Sequence, residues 1–385
     1  MDRFQDIRPY NDDEVRPVID ALLANSEFIS SIASFAVPKL YKNLSFLARF
    51  LTKRKLTQQL QNVNDVSAMQ GVIALYMDQM IEKTASQLTH SGLDNLDKNK
   101  NYLFVSNHRD IAMDPAFVNY VLYHAGFSTL FIAIGDNLLK RPFVTDLMRL
   151  NKSFIVKRSL KGRDLLKSSK QLSEYIHHMV GSKDSVWIAQ REGRAKDGVD
   201  RTDTALLKML TLAKRSEGFK EALSALHIVP VSISYEFDPC DSLKADELYQ
   251  KAELGTYSKD EQSDINSIVT GMVGAKGHVH VSFGKEITLQ SDDVDEAALC
   301  IDQQIIENYL LQPSNFLALQ ALQLKESSTS VEFCADHVEM PSIDAQTVAQ
   351  FEERVAKVDP KILPYWLKMY ANPVLSFSAL QNKPN

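Results

Sequence analysis

The chain of 385 residues is long enough to bury a full core, as two domains or as one domain with helical additions. Charged residues make up 24% and hydrophobic residues 44%, which is a globular composition and excludes a disordered chain. The net charge of −6 gives no reason to expect a nucleic-acid partner.

Three thiols, Cys240, Cys300 and Cys334, are scattered along the chain without a paired framework. This usage is typical of a reducing compartment and argues against a zinc site. The acidic N-terminus lacks the apolar core of a secretory peptide. No stretch reaches the ~18 uninterrupted apolar residues that a spanning helix needs. We therefore expect a cytoplasmic protein, and a membrane surface stays compatible with all of these observations.

Residues 1–95 are predicted to form a helical region, because no strand pattern is found before residue 101. Residues 27–55 carry apolar side chains at helical spacing, interrupted at Pro38 and closed by a basic cluster. Residues 66–88 predict a further amphipathic helix.

From residue 101 the pattern alternates between strands and helices. Six segments predict strands: 102–105, 129–134, 153–156, 185–189, 227–235 and 278–284. Four segments predict helices: 115–125, 143–150, 163–180 and 203–215. The alternation predicts an α/β domain over 96–290, with a largely parallel sheet flanked by helices. Residues 291–385 are predicted to form a mainly helical C-terminal extension.

Four segments that end predicted strands concentrate the residue types that carry chemistry. The segments are SNHRDIAMDPAF (106–117), KSFIVKRSLKGRD (152–164), QREGRAKDG (190–198) and HIVPVSIS (227–234). Between positions 140 and 200, 14 basic residues stand against 7 acidic ones, inside a chain of net negative charge. A local positive field suits an anionic substrate, and the planar fork of arginine suits phosphate. The alternative is a solvated basic face on the predicted helix 163–180.

The order and content of the four segments resemble the glycerolipid acyltransferase superfamily, which includes glycerol-3-phosphate and lysophosphatidate acyltransferases. The resemblance covers residues 100 to about 235. NHRDIAMD is similar to the family's histidine–aspartate motif, and FIVKRSLKG to its second motif. EGRAKDG resembles the Glu-Gly-x-Arg motif, and IVPVSIS the apolar Val-Pro strand. Two spacings differ from the family pattern: Asp114 follows His108 with five intervening residues instead of four, and Arg194 directly follows Gly193.

The resemblance implies acyl transfer from an acyl thioester to a hydroxyl of glycerol 3-phosphate or a lysophospholipid. Acyl-CoA or acyl carrier protein would deliver the acyl group as co-substrate, and no other cofactor and no metal is expected. His108 would be the general base, since histidine titrates nearest to neutral pH, and an aspartate would orient its ring. We favour Asp114 over Asp110, because Asp110 reaches back only through a tight turn. Asp114 before Pro115 also fits a helix N-cap.

Substrate binding is assigned to basic and flexible positions in the second and third segments. Arg158 and Arg194 are expected to bind the acceptor's phosphate, with Lys157 and Lys196 as weaker candidates. Glu192 would hold an arginine or bond a substrate hydroxyl, and is otherwise a surface carboxylate. Gly193 would let the backbone approach the substrate closely.

The basic amphipathic segment 27–55 fits a protein that lies on a membrane surface. The resemblance likewise implies membrane-associated substrates, so we expect a peripheral protein at the inner face of the membrane. A helical layer packed on the α/β core is the other interpretation of this segment, and both can hold together.

Two other function classes stay open. A lipid-binding or scaffolding protein on the same fold, impaired in catalysis, is supported by the two altered spacings. A phosphoryl-transfer enzyme using Asp110 and Asp114 with magnesium is disfavoured, because the sequence contains no glycine-rich phosphate loop of the Walker type. The first of these alternatives predicts that no aspartate oxygen lies within hydrogen-bond reach of His108.

Overall fold

In the computed structural model, the structure describes residues 2–182, 184–258, 261–326, 338 and 340–382. The chain forms two compact units, one of Met1–Gln79 with Thr129–Tyr175 and the other of Met80–Ser128 with Ile176–Asn385. The division of the sequence into 1–95, 96–290 and 291–385 stays a prediction.

Five helices fill the N-terminal region, in agreement with its helical pattern. They are α1 (Asp12–Ala24), α2 (Ser26–Ala36), α3 (Pro38–Asn43), α4 (Ser45–Leu60) and α5 (Val66–Thr84). The interruption expected at Pro38 is the first residue of α3, where proline's missing N–H costs nothing. Asn25 caps α2 by accepting the N–H groups of Glu27 and Phe28.

Seven strands follow. They are β1 (Ala85–Ser91), β2 (Leu103–Ser106), β3 (Phe131–Gly135), β4 (Ser153–Val156), β5 (Val186–Ala189), β6 (Ile228–Tyr235) and β7 (Gly277–Phe283). The six predicted strands are thus confirmed, but the prediction that no strand precedes residue 101 was wrong. The sequence of β1, ASQLTHS, is polar, and pairing with β7 along its length forms the strand despite that composition.

The remaining helices lie between and after the strands. They are α6 (Met113–His124), α7 (Pro142–Leu150), α8 (Gly162–Gly181), α9 (Thr204–Leu210), α10 (Phe219–Ser224), α11 (Asp241–Glu253), α12 (Glu261–Val273), α13 (Val294–Glu307), α14 (Pro313–Glu326), α15 (Ala345–Val355) and α16 (Leu363–Gln381). The helix predicted over 203–215 ends at Leu210 and is followed by a 3₁₀ segment, Leu212–Glu217. The predicted C-terminal extension is helical over its described residues, and its segments 327–337, 339 and 383–385 lie outside them.

The second unit contains five hydrogen-bonded strands in the order β1-β7-β6-β2-β5. Strand β2 is parallel to both neighbours, with Leu103 opposite Val186 on one side and Ile228 on the other. Every residue of β2 and β6 is buried, as expected for central strands covered on both faces. The pairing of β6 with β7 is antiparallel, and β1 is parallel to β7. In the first unit, β3 and β4 pair in parallel. The predicted α/β class with a largely parallel sheet is confirmed.

Each unit has an apolar core of its own. In the first unit, Val15, Ile19 and Phe28 from α1 and α2 pack with Phe143 and Leu150 from α7. In the second, buried side chains of α11, α14 and α15 pack with those of α16, which carries the fully buried Trp366.

Of the three cysteines, Cys240 is buried, Cys300 is partly exposed and Cys334 lies outside the described residues. Among the described helices, none is by itself long and apolar enough to cross a bilayer. The pair α1 and α2, bent by 74°, reaches that length and composition only when the two are joined.

Candidate active site

The site forms where β2, β5 and β6 end at one edge of the sheet. Because the three strands are parallel neighbours, the loops that follow them emerge together. The N–H of Gln190 donates to the carbonyl of Ser106 at 2.8 Å, and the N–H of Ala195 to that of His108 at 2.8 Å. The side chain of Asn107 bridges to β6 by accepting the N–H of Ile233 at 2.8 Å. Backbone hydrogen bonds therefore join the first and third sequence segments.

A histidine–aspartate pair lies in this edge. The Nδ1 of His108 is 2.8 Å from Oδ2 of Asp114, whose side chain is fully buried, whereas 13% of the His108 side chain is exposed. Within the described residues, the Nε2 of His108 has no hydrogen-bond partner. The ring packs edge-on to Trp187 of β5, with the centroids 5.9 Å apart. The imidazole is thus held at Nδ1 and left available at Nε2, which is the arrangement that a general base requires.

The carboxylate of Asp114 accepts four hydrogen bonds. Its Oδ2 also receives the N–H groups of Arg109 at 2.6 Å and Asp110 at 2.9 Å, and its Oδ1 receives the hydroxyl of Tyr235 at 2.7 Å. Burial alone would raise the pKa of Asp114. The hydrogen bonds and charge of His108, together with the Tyr235 hydroxyl and the N–H of Asp110, hold that pKa below its usual range. Asp114 is therefore an ionised partner for His108.

The expectation that Asp114 is a helix N-cap was wrong. Helix α6 begins at Met113, so Asp114 lies inside its first turn. The capping contacts belong to Asp110, whose Oδ1 accepts the N–H groups of Ala112 at 3.0 Å and Met113 at 2.9 Å. The five residues between His108 and Asp114 contain this turn, and the two side chains meet across it.

The second aspartate has a different environment. The Oδ2 of Asp110 is buried without a hydrogen-bond partner among the described residues, and it lies against Gly271 of α12, where a Cβ would be only 2.0 Å away. Burial, reinforced by the charge of Asp114, raises the pKa of Asp110. The raised pKa of Asp110 contrasts with the lowered pKa of Asp114, the aspartate that meets the imidazole.

This bonding pattern bears on the two alternatives. Because an aspartate oxygen does lie within hydrogen-bond reach of His108, the altered spacing does not break the pair. The magnesium interpretation is weakened by the donor set, since both oxygens of Asp114 already accept hydrogen bonds.

Several residues that fix the site were missed by sequence reasoning. The guanidinium of Arg109 is buried and donates to Asp200 at 2.7 Å and to the carbonyl of Gly198 at 3.2 Å. The buried Lys244 of α11 donates to the carbonyl of Arg109 at 2.6 Å and to Asp238. These partners are separated by 91 and 135 positions along the chain, so no local spacing reveals them. Tyr235 ends a strand that was judged by its apolar pattern alone.

The third segment places its predicted binding residues beside helices α11 and α12. Arg194 donates through Nη2 to the hydroxyl of Ser267 at 3.2 Å, and its Nη1 is buried without a partner among the described residues. Lys196 forms an ion pair with Glu247 at 2.8 Å. Glu192 is exposed, and Gly193 adopts a positive φ of 75°. Of the two cations, Arg194 has the unmet donor capacity that an anion needs.

The second segment lies in the first unit, at the end of β4. Asp136, which follows β3, accepts the N–H of Arg158 at 3.1 Å and the hydroxyl of Ser159 at 2.7 Å. Burial would raise the pKa of Asp136, but these bonds lower it, so a carboxylate fixes the loop. Arg158 is exposed, and its guanidinium lies over Gly135. Lys157 forms an ion pair with Asp6.

The structure brings His108, Asp110 and Asp114 together with the third segment in the second unit, and it places Lys157 and Arg158 in the first. The fold and this edge define an α/β protein with a histidine–aspartate pair at the carboxyl ends of parallel strands, in which the aspartate is fully buried and the histidine partly exposed. The chain is similar to known proteins over part of its length.

Residues 87–234 match the acyltransferase family model. Over 189 residues the chain is 30% identical to a glycerol-3-phosphate acyltransferase of Actinobacillus succinogenes, and 29% identical to those of Haemophilus ducreyi and Pasteurella multocida. Each alignment covers 49% of this chain and 22% of the relative, so the chain matches about a fifth of the length of these relatives.

Among solved structures, the 1-acyl-sn-glycerophosphate acyltransferase of Thermotoga maritima is matched with a TM-score of 0.35 and 15% identity, over 76% of this chain and 94% of that one. The resemblance expected from the four segments is confirmed at the level of the family. The family model, over residues 87–234, and the relatives support this resemblance to the glycerolipid acyltransferase superfamily over that part of the chain.

Proposed function

We propose that the protein transfers a fatty acyl group from an acyl thioester to a hydroxyl of glycerol 3-phosphate or a lysophospholipid. The observation that carries the proposal is the 2.8 Å bond between Asp114 and Nδ1 of His108, with Nε2 left open. The family match and the glycerol-3-phosphate acyltransferase relatives support the choice of substrates.

The proposed reaction needs one base and no enzyme nucleophile. The Nε2 of His108 takes the proton of the acceptor hydroxyl as its oxygen attacks the thioester carbonyl carbon. The resulting imidazolium is stabilised by the Asp114 carboxylate. When the tetrahedral intermediate collapses, the carbon–sulfur bond breaks, and the thiolate leaves with the proton returned from the imidazolium. The products are an ester and a free thiol.

Arg194 is proposed to bind the acceptor's phosphate, and the same role for Arg158 stays a prediction from its sequence segment. The buried, unpartnered Nη1 of Arg194 supports this, since a donor left unmet in a polar loop is a place for an anion. Lys196 and Lys157 rank lower, because both already form ion pairs within the protein. Arg194→Ala should raise the KM for the acceptor by about 10- to 100-fold and leave the KM for the donor nearly unchanged. A rise confined to the donor would reassign Arg194 to the donor's phosphates.

The activity test uses purified protein with labelled acyl-CoA and, separately, acyl carrier protein, against glycerol 3-phosphate, lysophosphatidate and other alcohols. We expect ester formation with a phosphorylated acceptor and its loss in His108→Ala. Trp187→Phe is a control for packing, because it keeps an aromatic ring against the imidazole. Failure of the wild-type protein with every donor and acceptor pair would overturn the proposal and favour a lipid-binding role.

We also propose that the protein works as a peripheral protein on the inner face of an anionic membrane. Helix α4 and the residue before it expose an apolar surface, with Leu44 57%, Phe46 77% and Phe50 55% exposed. Exposed cations follow on the same helix, namely Lys53, Arg54 and Lys55. An apolar face flanked by cations suits the interface of anionic bilayers, where each cation adds about 1 kcal/mol.

Co-sedimentation with vesicles of anionic or neutral lipid tests this surface. The double variant Phe46→Glu/Phe50→Glu should lose binding to anionic vesicles and keep its stability, since both side chains are already exposed. Leu324→Glu is the matched control, because Leu324 is 75% exposed on α14. Equal binding by the double variant and the wild type would remove the surface's assigned role.

A further inference from the structure

The second oxygen of the Asp114 carboxylate is engaged by one tyrosine. Among the described residues, three donors to Asp114 converge on Oδ2, and Oδ1 accepts the hydroxyl of Tyr235 alone, at 2.7 Å. None of the Asp114 side chain is exposed, so a carboxylate oxygen without a hydrogen-bond donor would be costly there. The rotation of the carboxylate is therefore fixed from the Oδ1 side by this single hydroxyl.

Tyr235 is itself held firmly. It is the last residue of β6, is 4% exposed, and pairs with Val279 across the β6–β7 ladder. Its ring packs edge-on to Phe117 of α6, with the centroids 5.9 Å apart. Burial raises the pKa of the Tyr235 hydroxyl well above its usual value, and the charges of Asp114 and Asp110 raise it further. The hydroxyl thus keeps its proton and acts as a donor to Asp114.

The connection joins two parts of the sheet edge. His108 follows β2, whereas Tyr235 ends the adjacent parallel strand β6 and lies 121 positions from Asp114. A rotation of the Asp114 carboxyl that broke the Tyr235 bond would also turn Oδ2 away from Nδ1 of His108. The planar carboxylate of Asp114 therefore couples the orientation of the His108 imidazole to the hydrogen bond from Tyr235.

We propose that Tyr235 is a positioning residue for acyl transfer, which orients His108 by fixing the carboxylate of Asp114. The inference rests on the proposed function of His108 as the base. Tyr235 touches no reacting atom; it acts through Asp114. Its removal should lower kcat and leave the KM for both substrates nearly unchanged, because the lost alignment affects the proton-transfer step.

The pH profile separates positioning from a merely structural role. Without the Tyr235 hydroxyl, the negative charge of the Asp114 carboxylate is less shared and stabilises the His108 imidazolium more strongly. The histidine–aspartate pair therefore keeps its proton to higher pH. The acid limb of the kcat/KM profile should therefore move to higher pH in Tyr235→Phe. Replacing Tyr235 by 3-fluorotyrosine, a stronger donor of the same shape, should move that limb to lower pH.

The experiment compares wild type, Tyr235→Phe, the 3-fluorotyrosine protein and the control Tyr102→Phe. Tyr102 is also a buried tyrosine, and its hydroxyl accepts the N–H of Asp97 at 2.8 Å at the start of β2, away from the pair. We expect kcat to fall about 10- to 100-fold in Tyr235→Phe, the effect of losing one hydrogen bond to an ionised group, and to stay near wild type in Tyr102→Phe.

A second readout does not depend on turnover. NMR titration of His108 in protein labelled with ¹⁵N-histidine, assigned with His108→Ala, should show a displaced midpoint in Tyr235→Phe and none in Tyr102→Phe. Unchanged kcat, acid limb and titration in Tyr235→Phe would overturn the inference and leave acyl transfer standing. An inactive wild type with a displaced His108 titration would instead overturn the proposed function and retain the tyrosine's action on the pair.

Discussion

Replacing Asp114 by asparagine should cost both turnover and stability. The carboxylate accepts four hydrogen bonds, at 2.6, 2.7, 2.8 and 2.9 Å, and none of its side chain is exposed. A hydrogen bond to an ionised acceptor contributes about 1 kcal/mol more than one to a neutral acceptor, so the three bonds to Oδ2 would lose roughly 3 kcal/mol if an amide oxygen accepted them, and the amide nitrogen cannot accept the Tyr235 hydroxyl. The easier burial of a neutral amide offsets part of this. We expect the free energy of unfolding to fall by about 1–3 kcal/mol.

Turnover should fall much further than stability. Asparagine cannot stabilise the imidazolium as a carboxylate does, so we expect a loss of about 10²–10⁴-fold in kcat, the usual contribution of general-base catalysis. Urea unfolding and turnover are measured on the same preparation.

Asp110→Asn is the matched control for Asp114→Asn. An asparagine retains an oxygen for the N–H groups of Ala112 and Met113 and mimics the protonated carboxyl that burial favours. Turnover should therefore decline far less than in Asp114→Asn. If Asp110→Asn lost more turnover than Asp114→Asn, Asp110 and not Asp114 would be the residue that orients His108.

The pH dependence of stability distinguishes the same two residues. The pKa of Asp110 is raised in the folded protein, so between the ordinary and the raised pKa the folded state binds more protons than the unfolded one. Its contribution to stability therefore falls as pH rises through that window, and Asp110→Asn should abolish this fall. The pKa of Asp114 is lowered, so its stabilisation is present above the ordinary aspartate pKa and is lost as pH falls through the folded value.

Two further predictions concern stability. Lys244→Met leaves Asp238 without its buried cation and should cost about 3–5 kcal/mol in urea unfolding, whereas adding Asp238→Asn should recover part of the loss; an additive double variant would contradict the pairing. Gly198→Ala should destabilise far more than Gly193→Ala. Both glycines have positive φ, but a Cβ at Gly198 would lie 2.1 Å from a carbonyl oxygen of α16, and at Gly193 it meets no described atom within 4 Å. Equal unfolding midpoints for the two variants would contradict this.

The α/β class was predictable because strand and helix periods are local properties of the sequence. The runs 153–156 and 185–189 predict strands by their apolar character, and the structure places β4 and β5 there. Strand β1 was not predictable in this way. Its polar sequence has no strand period, and the strand exists because β7, almost 200 positions later, pairs with it.

The residue types of the site were predictable from the sequence, but the hydrogen bonds that join them were not. His108 and its two aspartates stand within one short segment, so their proximity follows from the chain itself. Which aspartate meets the ring depends on the path of the loop, and the side chain of Asp110 settles that path by capping α6. The bonds from Tyr235 and Arg109 join strands and loops about 90 to 120 positions apart, and only the folded sheet brings them together.

The tolerance of the altered spacing has a physical cause in this loop. Six positions apart on a continuous helix, His108 and Asp114 would not share a face. The chain between them turns instead, and the carboxylate, in the first turn of α6, accepts the N–H groups of Arg109 and Asp110. By accepting these backbone hydrogen bonds, Asp114 stabilises the turn that places His108 within hydrogen-bond distance of its carboxylate. Because the carboxylate accepts hydrogen bonds from the backbone of this turn as well as from the ring, the histidine–aspartate pair forms across five intervening residues.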